Sequence, residues 1–242
     1  MIYIYKTTDT SLQLLSQIKA HEGPVIKISF SHPRFGGILA SAGFDGKVNI
    51  WKETNNIYEN IYEYKETKPS SMNYITFSMH NNDLLLASGS ADGNIIIFEY
   101  KNDNFITEKI YAHDFGVNSI SFSEIIPTEF ISCGNDGTIK IWSFNNTTYK
   151  WENIIKFEDF DCNINDVTFK TGSHDECFAS CGEDGIVYLF WKVGDEWKKK
   201  EIASFDKSIA QLSWNDNGEV LVAALNDGDV QLIDKSCLIL DI

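Results

Sequence analysis

Arginine is almost missing from this chain. Of 20 basic residues only Arg34 is an arginine, against 35 acidic residues and a formal charge of −15. That balance argues against a nucleic-acid phosphate backbone as the main partner, since such binding rests on cations that displace condensed counterions. It also leaves few of the planar forks that read phosphate or carboxylate bidentately. Long apolar runs are missing as well, none approaching the roughly 18 residues of a membrane-spanning helix. No secretory signal of basic, apolar and small-residue segments opens the sequence, so the chain reads as soluble and intracellular. Cysteines are few and odd in number: Cys133, Cys162, Cys177, Cys181 and Cys237, without paired-ligand spacing. They read as small core residues in a reducing compartment.

A repeat is what the chain has in quantity. Asp-Gly recurs at Asp45, Asp92, Asp136, Asp184 and Asp227, at spacings of 47, 44, 48 and 43. Three residues on stand Val48, Ile95, Ile139, Val187 and Val230; five on, Ile50, Ile97, Ile141, Leu189 and Leu232. A turn feeding a strand has this form, because alternate positions share a face and glycine relaxes the turn. Four residues before each Asp stand Ser41, Ser88, Ser132, Ser180 and Ala223, each in a short apolar strand. Earlier still lies an apolar strand ending in Ser or Thr and an aromatic, as in Val25 to Phe30 and Val117 to Phe122. A more polar strand follows each Asp-turn strand. Four strands per period of about 45 residues predict the blade of an all-β propeller.

The opening "MIYIYK" fits the same frame. Aligning Tyr5 with Trp51 puts Ile4 and Ile2 on the two aliphatic positions. The expectation is one propeller over 1–242 with six blades, the first incomplete. The half blade spans 1–20, and the others about 21–64, 65–111, 112–157, 158–204 and 205–242.

Two constellations invite chemistry. His21 precedes Ser41, Asp45 and Trp51 by 20, 24 and 30 residues, and His113 stands almost identically before Ser132, Asp136 and Trp142. A Ser-His-Asp set suggests a hydrolase. Catalytic sites do not recur in successive repeats, however, and no Gly-x-Ser-x-Gly elbow is present. The reading is a structural hydrogen-bond network in each of two blades. Asp159, Asp161, Asn163 and Asn165 alternate like a calcium loop, but Ile164 and Lys170 stand where that loop needs Gly and Glu. The lysines after Trp197, Lys198 to Lys200, read as a charged outer strand. No enzyme activity, cofactor or metal is expected.

Residues 20 to 53, "AHEGPVIKISFSHPRFGGILASAGFDGKVNIWKE", resemble a blade of the Sec-thirteen family of WD-repeat propellers. That family is shared by the COPII vesicle coat and the nuclear-pore Y-complex. "AHDFGVNS" (Ala112 to Ser119), "DGTIKIW" (Asp136 to Trp142) and "LSWNDNGEVLVA" resemble later blades in order. The chain departs from the pattern in lacking the family's two further N-terminal strands. It also departs in carrying "LNDGDVQLID" where a Gly-Gly-Asp-Asn turn and a tryptophan are usual.

The resemblance implies an open propeller completed by a blade inserted in trans, through β-augmentation by a helical-rod protein. That partner would be the COPII outer-layer rod, a helical Y-complex nucleoporin, or both. It implies a scaffold without membrane insertion, at ER membranes and vesicles or at the pore. The strands flanking the opening supply the expected partner edge: Ile2, Tyr3, Ile4, Tyr5, Val230, Leu232, Leu238 and Leu240. The missing half blade reads as a shortened or mis-started chain in preference to a partner that contributes more strands, since buried unpaired backbone groups cost roughly 1–3 kcal/mol each. Alternative readings are a ubiquitin-ligase substrate receptor, which the single arginine disfavours, and the sister Y-complex propeller, which lacks the "HEGPV" entry.

Overall fold

In the computed structural model each Asp-Gly step closes a hairpin by the same means. The amides of Gly46, Gly137 and Gly185 donate to the carbonyls three residues back, on Gly43, Gly134 and Gly182. The Asp side chain then caps the turn, accepting from the second residue after it, as Asp45 does from Lys47 N and Asp184 from Ile186 N. This is an Asx-capped turn whose glycine takes a left-handed conformation. Gly185 has φ 74°, and a Cβ there would lie 2.2 Å from the Phe205 carbonyl oxygen. Gly185→Ala is therefore expected to cost about 2–3 kcal/mol, read as a fall in the thermal midpoint. An unchanged midpoint would contradict the turn assignment.

The structure describes residues 1–8, 11–66, 68, 70–79, 84–172 and 175–234. It divides into two units, Met1–Ile110 and Tyr111–Ile242. In the first, β1 (Ile2–Thr7) and β2 (Leu12–Ile18) form an antiparallel hairpin. Then come β3 (Val25–Phe30), β4 (Ile38–Gly43), β5 (Lys47–Thr54) and β6 (Ile57–Lys65), a four-stranded sheet in sequence order. A second sheet has β7 (Met72–Phe77), β8 (Leu85–Ser90), β9 (Asn94–Lys101) and β10 (Asn104–Tyr111) in the same order. Asn55-Asn56 and Asn102-Asp103, all at positive φ, make the two-residue turns before β6 and β10, where Asn and Asp tolerate that conformation.

The second unit repeats the plan. One sheet holds β11 (Val117–Phe122), β12 (Glu129–Gly134), β13 (Ile139–Asn145) and β14 (Lys150–Phe157). The next holds β15 (Ile164–Phe169), β16 (Cys177–Gly182), β17 (Ile186–Val193) and β18 (Glu196–Ser204). The last has three described strands, β19 (Ile209–Trp214), β20 (Leu221–Leu225) and β21 (Val230–Ile233).

Five sheets thus have the blade order, four of four strands and one of three. The expectation of six blades, the first incomplete, is corrected: five blades are formed, and residues 2–18 make a separate two-stranded hairpin. The reason is physical. Ile2, Ile4 and Ile18 are enough to seat a hairpin on Leu39, Trp51 and Tyr58, but two strands cannot make the layered sheet on which a next blade packs.

Core formation follows from that layering. Within each unit the first strand of one blade lies on the first two strands of the blade before it: β7 on β3 and β4, β15 on β11 and β12, β19 on β15 and β16. Middle strands are buried on both faces, so they read as continuous small or apolar runs, such as "ILASAG" and "CFASCG". Phe178 and Phe190 stack at 4.5 Å in one such layer. Polar contacts set the spacing of blades. Ser29 Oγ accepts from Phe77 N, and Ser121 Oγ from Phe169 N. A bulge at the second residue of each first strand turns Asn118 and Asn165 toward the next blade. There they donate to Ile164 O and Ile209 O, both at 2.8 Å.

Candidate partner edges and polar networks

The two histidines lie in complete networks. His113 is fully buried; its Nδ1 stands 2.9 Å from Asp136 Oδ1 and its Nε2 2.8 Å from Ser132 Oγ. Trp142 Nε1 donates to the same Ser132 oxygen at 2.9 Å. One assignment satisfies every atom: Nδ1–H donates to the carboxylate, the serine hydroxyl donates to Nε2, and the indole N–H donates to the serine. Asp136 also accepts from Asp114 N, Thr138 N and Thr138 Oγ1. Burial alone would raise its carboxyl. The hydrogen bond and electrostatic attraction of His113, with the bonds from Thr138 and Asp114, outweigh that and hold it well below the usual range. The first unit has the same set, with His21 to Asp45 and Ser41 both at 2.9 Å and Trp51 to Ser41 at 3.1 Å. Burial would raise Asp45 too, but donors from Glu22 and His21 lower it.

Small residues make room for the rings. A Cβ on Gly134 would stand 2.7 Å from His113 Cγ, and one on Gly43 2.3 Å from His21 Nδ1. The following blade shows what happens without histidine. Cys162 Sγ takes the corresponding place beside Gly182, and Ser180 Oγ is buried with no hydrogen-bond partner. Ser180→Ala is expected to leave stability within about 0.5 kcal/mol of wild type or slightly above it, because the hydroxyl is desolvated without compensation. A loss above 1 kcal/mol on chemical denaturation would mean that Ser180 has a partner in solution.

The expected partner edge divides sharply. Ile2 and Ile4 turn inward onto the first blade, while Tyr3 and Tyr5 are half exposed. β21 pairs only with β20 among the described residues, Val230 opposite Ala224 and Leu232 opposite Val222. Val230 and Leu232 are 61% and 72% exposed, against 4% for Ile233. Exposed β-branched and aliphatic side chains on an open sheet edge favour strand addition. Leu238 and Leu240 lie outside the described residues.

Comparison with known proteins places this geometry. The family model "WD domain, G-beta repeat" matches residues 12–52 and 105–143, the two segments that hold a complete His-Ser-Asp-Trp set. Protein SEC13 homolog of Caenorhabditis briggsae is 35% identical over 235 residues, covering 90% of this chain and 75% of that protein. The chain belongs to the Sec-thirteen family. Protein transport protein sec13 of Emericella nidulans is 26% identical over 96% of this chain and 83% of its own length. The SEC13 homolog of Drosophila melanogaster is 29% identical over 90% of this chain and 67% of its own. As a member of this family the chain is an all-β WD-repeat propeller.

Within this Sec-thirteen-family chain the remaining candidates fall into structural places. Asn163 donates to Glu183 and Asn165 to Ile209 O, so two of the four residues in the calcium-like run are engaged elsewhere. Lys199, on the outer strand β18, carries its ammonium over the rings of Phe160 and Tyr188. Burial pushes the thiols of Cys133 and Cys181 well up and that of Cys177 to about 12, which makes them poor nucleophiles. Among the described residues no helix is long and apolar enough to cross a membrane. Sequence reasoning missed Ile28 and Phe30 on β3, which stand 42% and 48% exposed. The signal was available in the repeat: the equivalent positions on β7, β11, β15 and β19 are core positions.

Proposed function

We propose that this chain is a structural, non-enzymatic scaffold subunit of the COPII vesicle coat, acting in ER-to-Golgi transport, and of the nuclear pore complex. Its partner is a helical-rod protein of the coat outer layer, or a helical Y-complex nucleoporin, which docks by donating strands. The chain then works as a rigid element at ER membranes, vesicles or the pore, reaching the bilayer through other subunits. Likeness along nearly the whole chain to proteins named for protein transport supports the scaffold role. The observation that carries the docking mode is the β21 edge, with Val230 and Leu232 presented to solvent.

Backbone hydrogen bonds to such an edge supply docking, and alternate side chains supply selectivity. Affinity purification of the tagged chain from its own cells tests the reading. Recovery of a rod protein with its own propeller, or of a helical nucleoporin, supports it. Recovery of a ligase adaptor with neither overturns it.

A further inference from the structure

Between the β11–β14 blade and the β15–β18 blade, the gap near the outer strands is filled by charges. Lys192 Nζ bonds Glu176 Oε2 at 2.8 Å, and Glu129 lies within electrostatic reach of both. Trp197 packs beside them on Phe157 and Phe178. Strand register identifies the same places between the two blades of the first unit. Ile38 stands opposite Lys52 as Glu129 stands opposite Ser143. Tyr100 N donates to Leu84 O as Lys192 N donates to Glu176 O. Phe105 follows Tyr100 by five residues, as Trp197 follows Lys192. Both carboxylates of the filled gap are thus replaced by aliphatic side chains, and its lysine by a tyrosine.

What results is a pocket of about 480 Å³. Ile38 and Leu84 are buried in its lining, and the rings of Tyr62 and Tyr100 each stand 5.0 Å from that of Phe105. Ile61 and Tyr100, 43% and 39% exposed, leave its mouth open. Lys52 also lines it, and its ammonium has no ion pair or hydrogen bond among the described residues. Asp103, on the turn before β10, accepts from the Tyr100 hydroxyl at 3.5 Å.

We propose that this pocket docks a segment of another protein through one aromatic side chain with a carboxylate beside it in sequence. The aromatic ring enters between the tyrosine and phenylalanine walls, as an anchor buried in a pocket. The carboxylate gives Lys52 the anion that Lys192 finds in Glu176. Asp103 is left to accept from a backbone N–H of the segment. A cationic guest fits less well, since Lys52 already places a positive charge there. So does a small metabolite, which a binding site encloses over roughly 70–90% of its surface, because this mouth is open. The acidic excess of the chain lies in residues 111–242, and residues 1–110 are nearly balanced, so an acidic segment meets little local repulsion. A second copy would offer Asp114-Phe115, with Phe115 71% exposed, but that carboxylate already accepts from the Tyr111 hydroxyl at 3.2 Å.

Panning a random-heptapeptide phage library on the immobilised full chain tests this. The counter-target is Leu84→Glu with Tyr100→Lys, which transplants the Glu176–Lys192 pair and closes the pocket. The expected result is enrichment, on wild type alone, of peptides with an aromatic residue next to Asp or Glu. By fluorescence anisotropy, Lys52→Glu and alanine at the peptide's aromatic position should each weaken binding of an enriched peptide roughly tenfold or more. Changing the peptide's acid to lysine should weaken binding to wild type and restore it to Lys52→Glu, a rescue that misfolding cannot produce. That charge swap decides alone if the closed variant does not fold. No enrichment, equal enrichment on the closed variant, or a consensus with a basic or neutral neighbour overturns the proposal. So does free indole-3-acetate that binds as tightly as the peptide, or a wild-type dimer in sedimentation that Lys52→Glu dissociates. Neither β21 nor the first hairpin lines this pocket, so its failure leaves the strand-donation reading standing and the reverse holds too.

Discussion

Replacing His113 by alanine is expected to destabilise the protein by about 3–5 kcal/mol, the sum of a lost hydrogen bond to a charged group and a buried hydroxyl left without its acceptor. The ring is fully buried, and its removal takes one donor from the Asp136 carboxylate and the acceptor from the buried Ser132 hydroxyl, while Trp142 N–H keeps its bond to Ser132 Oγ. Ser132 is fully buried, so the bond its hydroxyl loses costs desolvation that is not returned. The contrast with Ser180→Ala is the control, since that serine has no histidine to lose. Denaturant titration at constant slope reads both. A His113→Ala loss below 1 kcal/mol would show the network to be energetically idle.

The same network carries a pH signature. Asp136 is depressed in the folded state relative to its ordinary value of 3.8. A depressed carboxyl contributes stability that is fully present above the unfolded value and is lost as pH falls through the folded one. The stability gap between wild type and Asp136→Asn should therefore be constant near neutrality and shrink below about pH 4. A gap that stayed flat to acid would place the Asp136 contribution elsewhere than in its charge.

The second large effect is on association. Val230→Asp with Leu232→Asp should reduce affinity for the proposed strand-donating rod protein by roughly a hundredfold, as expected when two apolar anchors of one edge become unpaired charges. Folding should be untouched, because both side chains already face solvent. Gln231→Asp, between them and on the opposite side of the strand, should do much less. Titration of purified chain against purified rod protein, with thermal midpoints in parallel, decides it. Equal affinity for wild type and double variant would remove β21 from the interface.

The repeat was readable because its chemistry is local. An Asp-Gly turn needs only its own residues, and Asn55-Asn56 or Asn102-Asp103 mark the neighbouring turn equally well. The His21 and His113 sets were legible as spacings because the hydrogen-bonded residues recur in the same strands of each repeat. Cys162 was harder: nothing in its neighbours says that it occupies the place of a lost histidine until Gly182 is seen beside it. The bulge asparagines Asn118 and Asn165 were hidden for a similar reason. Their partners, Ile164 O and Ile209 O, lie 46 and 44 residues away.

By itself, then, the sequence determined the strand period, the turns, the two polar networks and the family, all of which depend on contacts within one repeat. Blade number and the fate of the first hairpin depended on how repeats stack, and only the tertiary structure decided them. Residues 2–18 carry blade-like periodicity. Yet a periodic pattern specifies which face of a strand is apolar, not whether other strands are present to cover it. Two strands seated on Leu39 and Trp51 bury Ile2 and Ile18 and leave Ile28 and Phe30 in the open. Exposure of that kind is a sum over neighbours distant in sequence.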